Sequence, residues 1–491
     1  MSTFSFESKA KKNLLIAIAI GALLFFIGLF TQGGNHNSGH NGHGEAIHVE
    51  SHVKGHTDAH LEANTEAHGA EHIAAMDVAE DLATNNVTDS STVSNNVNVS
   101  AYKYKDVSAE IDSTIQNLGD RSHYLHEEAN LNSKIVANVY SIFLFFLYIG
   151  IAAMFVLSAA TLALGGWHIQ IQKIFLAIAA TIPISILGMV IIYFTNMHTL
   201  FHWTHEELFV KGTPLFDELL YGKRDWLNIQ SFAIRSVIFF GITLSLLYFW
   251  WKNLNEQDAN PSMKLYDKSR AIAGAAILLI SMGVNPFGTW DWAMSIQPHW
   301  YSTLYAWYLM ASGAVSMFSL TMLLVIYLKK RNNLALVNES HRHDVGKFMF
   351  AISVFWTYLF FSQFMLIWYA NIPEETMYFD RREAGYFIMF WGSFIVCFIL
   401  PFFILMRRGS KRNSVTTQVM AYISIFGHWL DFFLVVSPEL VPTGGFGFLS
   451  IGAMVLLGSA YLYVIFTALG KFKDLESSTH PFYSENIIHQ I

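Results

Sequence analysis

"YISIFGHWLDFFLVV", residues 422–436, is a run that a lipid bilayer accepts at every position except two, His428 and Asp431, which stand three residues apart. A hydrocarbon core about 30 Å thick takes roughly 20 helical residues to cross. The run reaches that length within 416–437. Working outward, nine more apolar runs of similar length lie at 13–31, 136–162, 172–195, 227–251, 270–288, 302–328, 345–370, 384–406 and 446–469. With 53% hydrophobic and 14% charged residues, and 41 phenylalanines in 491 residues, the chain is far more apolar than a soluble domain. The pattern predicts an all-α polytopic membrane protein with ten transmembrane helices.

Lys and Arg are retained on the cytoplasmic side of short loops. Placing the amino terminus inside gathers Lys9, Lys11, Lys12, Lys252, Lys264, Lys268, Lys329, Lys330, Arg407, Arg408 and Lys471 on that side, whereas the opposite connections 286–301 and 438–445 hold no Lys or Arg. Both termini are therefore predicted cytoplasmic. The first run has a basic flank like a signal peptide, but its apolar stretch is long and no A-x-A site follows, so residues 1–31 read as a cytoplasmic start and a retained anchor. One cysteine, Cys397, leaves no disulfide framework and no Cys-rich metal site to draw. The net charge of −7 argues against nucleic acid as a partner.

The long loop, 32–134, is predicted on the outer side. Its first half carries nine of the 21 histidines, and those at 48, 52, 56 and 60 recur at i,i+4, a spacing that stacks them on one helix face. Gly and Asn interrupt the run, so a polar His-rich tether is the favoured reading. From about 106 to 130 better helix formers give a weakly amphipathic docking segment. In the next outer loop, 196–226, His198 and His202 are spaced to share a helix face and are the metal-ligand candidates, weighed against histidines simply lying at a membrane interface.

An ionisable side chain near the bilayer centre costs on the order of 2.5–3.5 kcal/mol on insertion scales, so each needs a reason. Arg235 lies about 12 Å inside the fourth run, His428 near the midplane of the ninth, and Asp431 about 9 Å below the outer surface. Gln363 of the seventh run falls at a similar level. One reading makes Arg235 and Asp431 a buried pair that, with the amide and imidazole, glues helices together. Another makes His428 and Asp431, on one face at i,i+3, a proton path. Haem ligation is disfavoured, because His428 is the only histidine well inside a run and no C-x-x-C-H occurs. In the outer connection "NPFGTWDWAMSIQPHWYSTLYAWY", Asp291, Ser295 and His299 are the polar residues that an interfacial aromatic belt does not explain.

"WDWAMSIQPHWYSTLYAWY", then "FSQFMLIWYANIPEE" and "FGHWLDFF", resemble the F subunits of bacterial alternative complex III, quinol:electron-acceptor oxidoreductases of respiratory chains. The order of motifs, the His-rich first loop and the ten runs extend the resemblance over essentially the whole chain. It implies a fold related to polysulfide-reductase (NrfD-like) membrane subunits, in a bacterial inner membrane. That fold has two four-helix bundles, here spans two to five (135–288) and six to nine (289–437), with spans one and ten peripheral and the last helix and tail in 438–491. It also implies partners: a homologous NrfD-like membrane subunit, a periplasmic iron–sulfur protein, cytochrome c subunits, lipids and in some assemblies a terminal oxidase. Haem c and iron–sulfur clusters would belong to those partners, with no redox centre in this chain. His428 and Asp431 match the family's G-H-x-x-D-F-F element, Asp291, Ser295 and His299 its outer-loop element, and Gln363 its S-Q-F-M element.

The expected function is thus a non-redox membrane subunit contributing a proton path or scaffold. Two alternatives stand beside it. One is a proton- or ion-coupled secondary transporter working alone. The other is a quinol-binding subunit in which Asp291 and His299 accept the quinol protons.

Overall fold

The computed structural model describes residues 6–33, 130–477 and 480–484. The His-rich tether and the docking segment expected within 32–134 lie outside these residues. Among the described residues ten helices are long and apolar enough to cross a membrane: α1 (Ser8–Thr31), α2 (Leu131–Leu162), α3 (Gln172–Leu200), α4 (Ile229–Ala259), α5 (Met263–Ile296), α6 (Tyr305–Lys330), α7 (Glu339–Ala370), α8 (Pro373–Leu405), α9 (Ser414–Leu440) and α10 (Phe448–Leu469). The chain is accordingly a multi-pass helical membrane protein.

Several helices outrun the apolar stretches that announce them, for reasons of capping and charge. The Asn338 side chain accepts from the backbone N–H groups of Ser340 and His341, so α7 starts in the charged segment "ESHRHD" ahead of its apolar run. Pro373 opens α8 eleven residues before the predicted boundary at 384, and the acidic pair Glu374 and Glu375 sits in the first turn, where the helix dipole favours it. Two π-helical segments interrupt the ladders, Ile280–Val284 in α5 and Ile395–Ile399 in α8. Such insertions often mark functional regions.

Helices α2 and α6 form the centre. α2 packs against α3, α5, α6, α9 and α10, while α6 also packs against α7 and α9. Helix α4 lies on α5 and helix α8 on α9. Helices α4, α5, α7 and α8 keep broad apolar faces outward, with Val237, Phe361, Trp368 and Ile388 all exposed, as lipid-facing helices do. Helix α1 runs along α10 and makes little other contact. Their backbones touch: a Cβ on Gly28 would overlap the Leu449 backbone, and one on Gly452 would overlap Phe25. Small residues permit this close approach between membrane helices.

The two ends of the bundle differ. At the basic end, fully buried Lys173 pairs with Asp258 at 2.7 Å and donates to the Asp474 carbonyl at 2.7 Å. At the opposite end the connections meet one another. Asn132 donates to Asn196 at 2.9 Å, His299 meets Asp217 at 2.6 Å, and the Tyr386 hydroxyl donates to the Val441 carbonyl at 2.5 Å.

Candidate functional site

Asp431 lies nine residues before the end of α9, about 14 Å along the helix, and its side chain is buried. Three neutral donors converge on the carboxylate. The Tyr308 and Ser312 hydroxyls, one turn apart on α6, take one oxygen each, Ser312 at 2.7 Å, and the Trp356 indole of α7 donates to the second oxygen at 3.1 Å. Among the described residues no Lys, Arg or His forms a salt bridge with Asp431.

His428, fully buried one turn earlier on α9, places Nδ1 2.9 Å from the Ser312 hydroxyl. Ser312 has one proton to donate. Because it donates to Asp431, the imidazole is assigned as donor from Nδ1 to Ser312. The result is a directed chain, His428 to Ser312 to Asp431. The other imidazole nitrogen, Nε2, has no hydrogen-bond partner among the described residues. Below the cluster the α6 hydroxyls of Ser316 and Ser319 continue in the direction of the basic end, each bonded to the carbonyl four residues back. The π segment of α8 lies against this point. Gly427 is pressed on Val396 and Cys397, where an added Cβ would sit 2.7 and 2.8 Å from their side chains.

Towards the opposite end, Asp431 opens on a cavity of about 20 Å³, the size of one water. Tyr305, Tyr308, Gln363, Tyr378 and Arg382 line it. Arg382 of α8 is buried over the Tyr378 ring, donates to the Tyr378 carbonyl at 2.6 Å, and pairs with Glu439 at 3.3 Å. Glu439 also holds the more exposed Arg381 at 2.5 Å. Polar groups therefore follow one another from the surface near Arg381 inward to His428. Gln363, singled out in the sequence, joins this wall and accepts from Ser302 at 3.0 Å.

Arg235 does not pair with Asp431. It pairs with Asp291 of α5, Nε to Oδ2 at 2.7 Å and Nη2 to Oδ1 at 2.8 Å, while its guanidinium stacks 4.0 Å over the Trp226 ring. The Trp226 indole donates to the same carboxylate at 3.1 Å. Equal depth along two helices does not make them neighbours: α4 packs on α5, whereas α9 packs on α2, α6 and α8. The sequence does set the two aspartates in similar surroundings. "FGTW" at 287–290 is followed directly by Asp291, and "FGHW" at 426–429 by Leu430 and then Asp431. Thr289 of the first bonds Tyr148 of α2, as His428 of the second bonds Ser312 of α6. A second cavity of about 20 Å³, lined by Tyr148, Ser236 and Asp291, accompanies the first element. The two stations differ in one respect: Asp291 has a guanidinium and Asp431 does not.

The remaining loop candidates are committed elsewhere. Ser295 donates to the Asp291 carbonyl. His299 bonds Asp217, a residue the sequence reading passed over, so Asp291 and His299 serve different partners. Burial alone would raise the Asp217 carboxyl, but the His299 hydrogen bond and the Leu220 N–H outweigh it and hold it at about 2. His198 and His202 do not share a helix face, because the helix kinks at Asn196 and the chain leaves it at Phe201. His198 faces the Thr204 hydroxyl at 3.0 Å. Burial, then His205 and His299, push His202 down to about 4. Among the described residues no group of three or more His, Cys, Asp or Glu is arranged to hold a metal ion.

No family model matches the chain, and no curated protein matches it either.

Proposed function

We propose that this chain is a membrane subunit of a respiratory quinol-oxidising assembly of the alternative complex III type, in which the Asp431 cluster holds and passes a proton. The observation that carries this reading is the contrast between the two aspartates. A carboxylate gripped by a guanidinium, as Asp291 is, must break an ion pair to take a proton. Asp431 meets only neutral O–H and N–H donors, so gaining a proton breaks no ion pair.

The steps follow from the hydrogen bonds. A proton entering from the Arg381 end reaches the cavity beside Asp431 and is taken by the carboxylate. Nδ1 of His428 bears the proton in the bonded arrangement, so onward transfer requires the imidazole tautomer protonated at Nε2. The protonated Asp431 then gives its proton to the Ser312 oxygen as Ser312 gives its own to Nδ1, and Nε2 releases its proton onward. Arg382, tied to Glu439, forms part of the cavity wall beside Asp431.

Helix contacts support the two-bundle arrangement that goes with this family. α2 with α3 and α5, closed by α4, gives one group, and α6 with α7 and α9, closed by α8, gives the other, with α1 and α10 outside. In this reading the iron–sulfur protein, the cytochromes c and the homologous membrane subunit supply the redox centres. The outer connections would then face the periplasm and both termini the cytoplasm of a bacterial inner membrane.

Asp431→Asn tests the proposal. It keeps the size and most of the hydrogen bonds but removes the titratable proton. The variant is expected to assemble, to copurify in gentle detergent with haem c absorbance, and to lose proton translocation. Purification of the wild-type chain alone refutes membership in such an assembly. A fully assembled Asp431→Asn complex that acidifies the medium like wild type refutes the proton role.

A further inference from the structure

We infer that the groove between α3, α4 and α10 is a specific site for one membrane phospholipid, with an acyl chain laid along the groove and the phosphate at Lys471. The groove encloses about 440 Å³, within the roughly 300–1,000 Å³ typical of ligand pockets. One wall is Leu244, Leu247 and Trp251 of α4, and the other is Tyr463, Thr467 and Lys471 at the end of α10. Tyr463 to Lys471 is eight residues, so the groove runs about 12 Å parallel to the helix axes. It is apolar along its length and cationic only at its basic end. That is the polarity of a phospholipid whose headgroup sits at that face of the membrane.

Charge complementarity selects the occupant. Among the described residues Lys471 has no carboxylate partner within ion-pair distance, whereas the neighbouring cations on these helices are engaged: Lys252 lies 4.0 Å from Glu256, and buried Lys173 is held by Asp258. Lys473 adds a second exposed positive charge two residues on. Trp251 at the same level as Lys471 is a residue that favours the headgroup region. A phosphodiester at that level gives Lys471 a charged partner, which an apolar helix laid in the groove does not.

Native mass spectrometry of the full chain, extracted in mild detergent with its partners, tests the site. The probes are Thr467→Trp, which fills the groove from an exposed position whose hydroxyl bonds only its own helix, and Lys471→Glu, which reverses the charge at the mouth. Wild type is expected to retain one phospholipid, and both variants to lose at least about five-fold of it while eluting as monodisperse as wild type. Placing p-benzoylphenylalanine at Tyr248 gives a second readout, with crosslinking to a phospholipid expected. Equal retention in both variants, or a crosslink to a polypeptide or to an isoprenoid tail, overturns the proposal.

Discussion

Removing Arg235 while leaving Asp291 in place is the sharpest perturbation the ion-pair geometry offers. Arg235 makes two hydrogen bonds of 2.7 and 2.8 Å to a carboxylate whose side chain is 1% exposed, and its own side chain is 15% exposed. In Arg235→Met the carboxylate keeps one donor, the Trp226 indole. Breaking a buried pair from one side costs about 3–5 kcal/mol, because the surviving charge stays in a low-dielectric site. The membrane setting pulls the figure towards the lower bound, since a partly unfolded chain in lipid also finds polar partners. Stacking on Trp226 adds about 0.5–1 kcal/mol. A loss of about 3 kcal/mol is therefore expected in Arg235→Met, a similar loss in Asp291→Leu, and a double variant within about 1.5 kcal/mol of wild type, because an apolar pair of similar volume removes both charges. Denaturant titration of the purified protein in detergent, read by tryptophan fluorescence, closes the cycle. Additive losses in the double variant refute the pairing. Rescue of Arg235→Met by Asp431→Leu in place of Asp291→Leu would restore the assignment that depth alone suggests.

Gly427→Ala forces a methyl against Val396 and Cys397, so a loss of about 1–3 kcal/mol by overpacking is expected in the same denaturant assay, with Gly427→Ser worse. Trp356→Phe removes one donor from Asp431 and is expected to cost about 1.5–3 kcal/mol if the carboxylate is charged, and less in an Asp431→Asn background; equal losses in both backgrounds contradict a charged acceptor. The Asp217 carboxyl is held below its unfolded value of about 3.9, so its contribution is complete above about pH 4 and disappears as pH falls through about 2. The stability difference between wild type and Asp217→Asn, about 1 kcal/mol for a partly exposed pair, should shrink over that interval when thermal unfolding is followed at a series of pH values. Cys397 is fully buried, and maleimide labelling of the native protein should require unfolding.

The spans were legible because lipid imposes one rule, an apolar run of sufficient length, and all ten runs became helices. What hydropathy obscured was where charged turns continue a helix. The segment "EETMYFDRREAGY" lies almost wholly before the apolar run of α8, yet it carries Arg382 into the bundle beside Asp431. His428 and Asp431 stood out because a polar residue in a long apolar run is costly. Their partners did not, because Tyr308, Ser312 and Trp356 are unremarkable in a membrane helix and acquire meaning only once α6 and α7 face α9. Asp291 was visible, but linking it to Arg235 required knowing that α4 lies on α5.

The pairing of α1 with α10 has a bearing on biogenesis. During synthesis the first helix enters the membrane roughly 400 residues before the helix that covers it, at a pace of about 5–20 residues per second. For that interval, some tens of seconds, Gly21 and Gly28 face lipid or a chaperone instead of the α10 backbone. The contact that joins them is among the most distant in sequence that the chain makes, so it closes after the central helices have been made. A ribosome stalled before residue 448 would leave the bundle with its earliest helix still unclasped, a defect that a membrane protease can recognise.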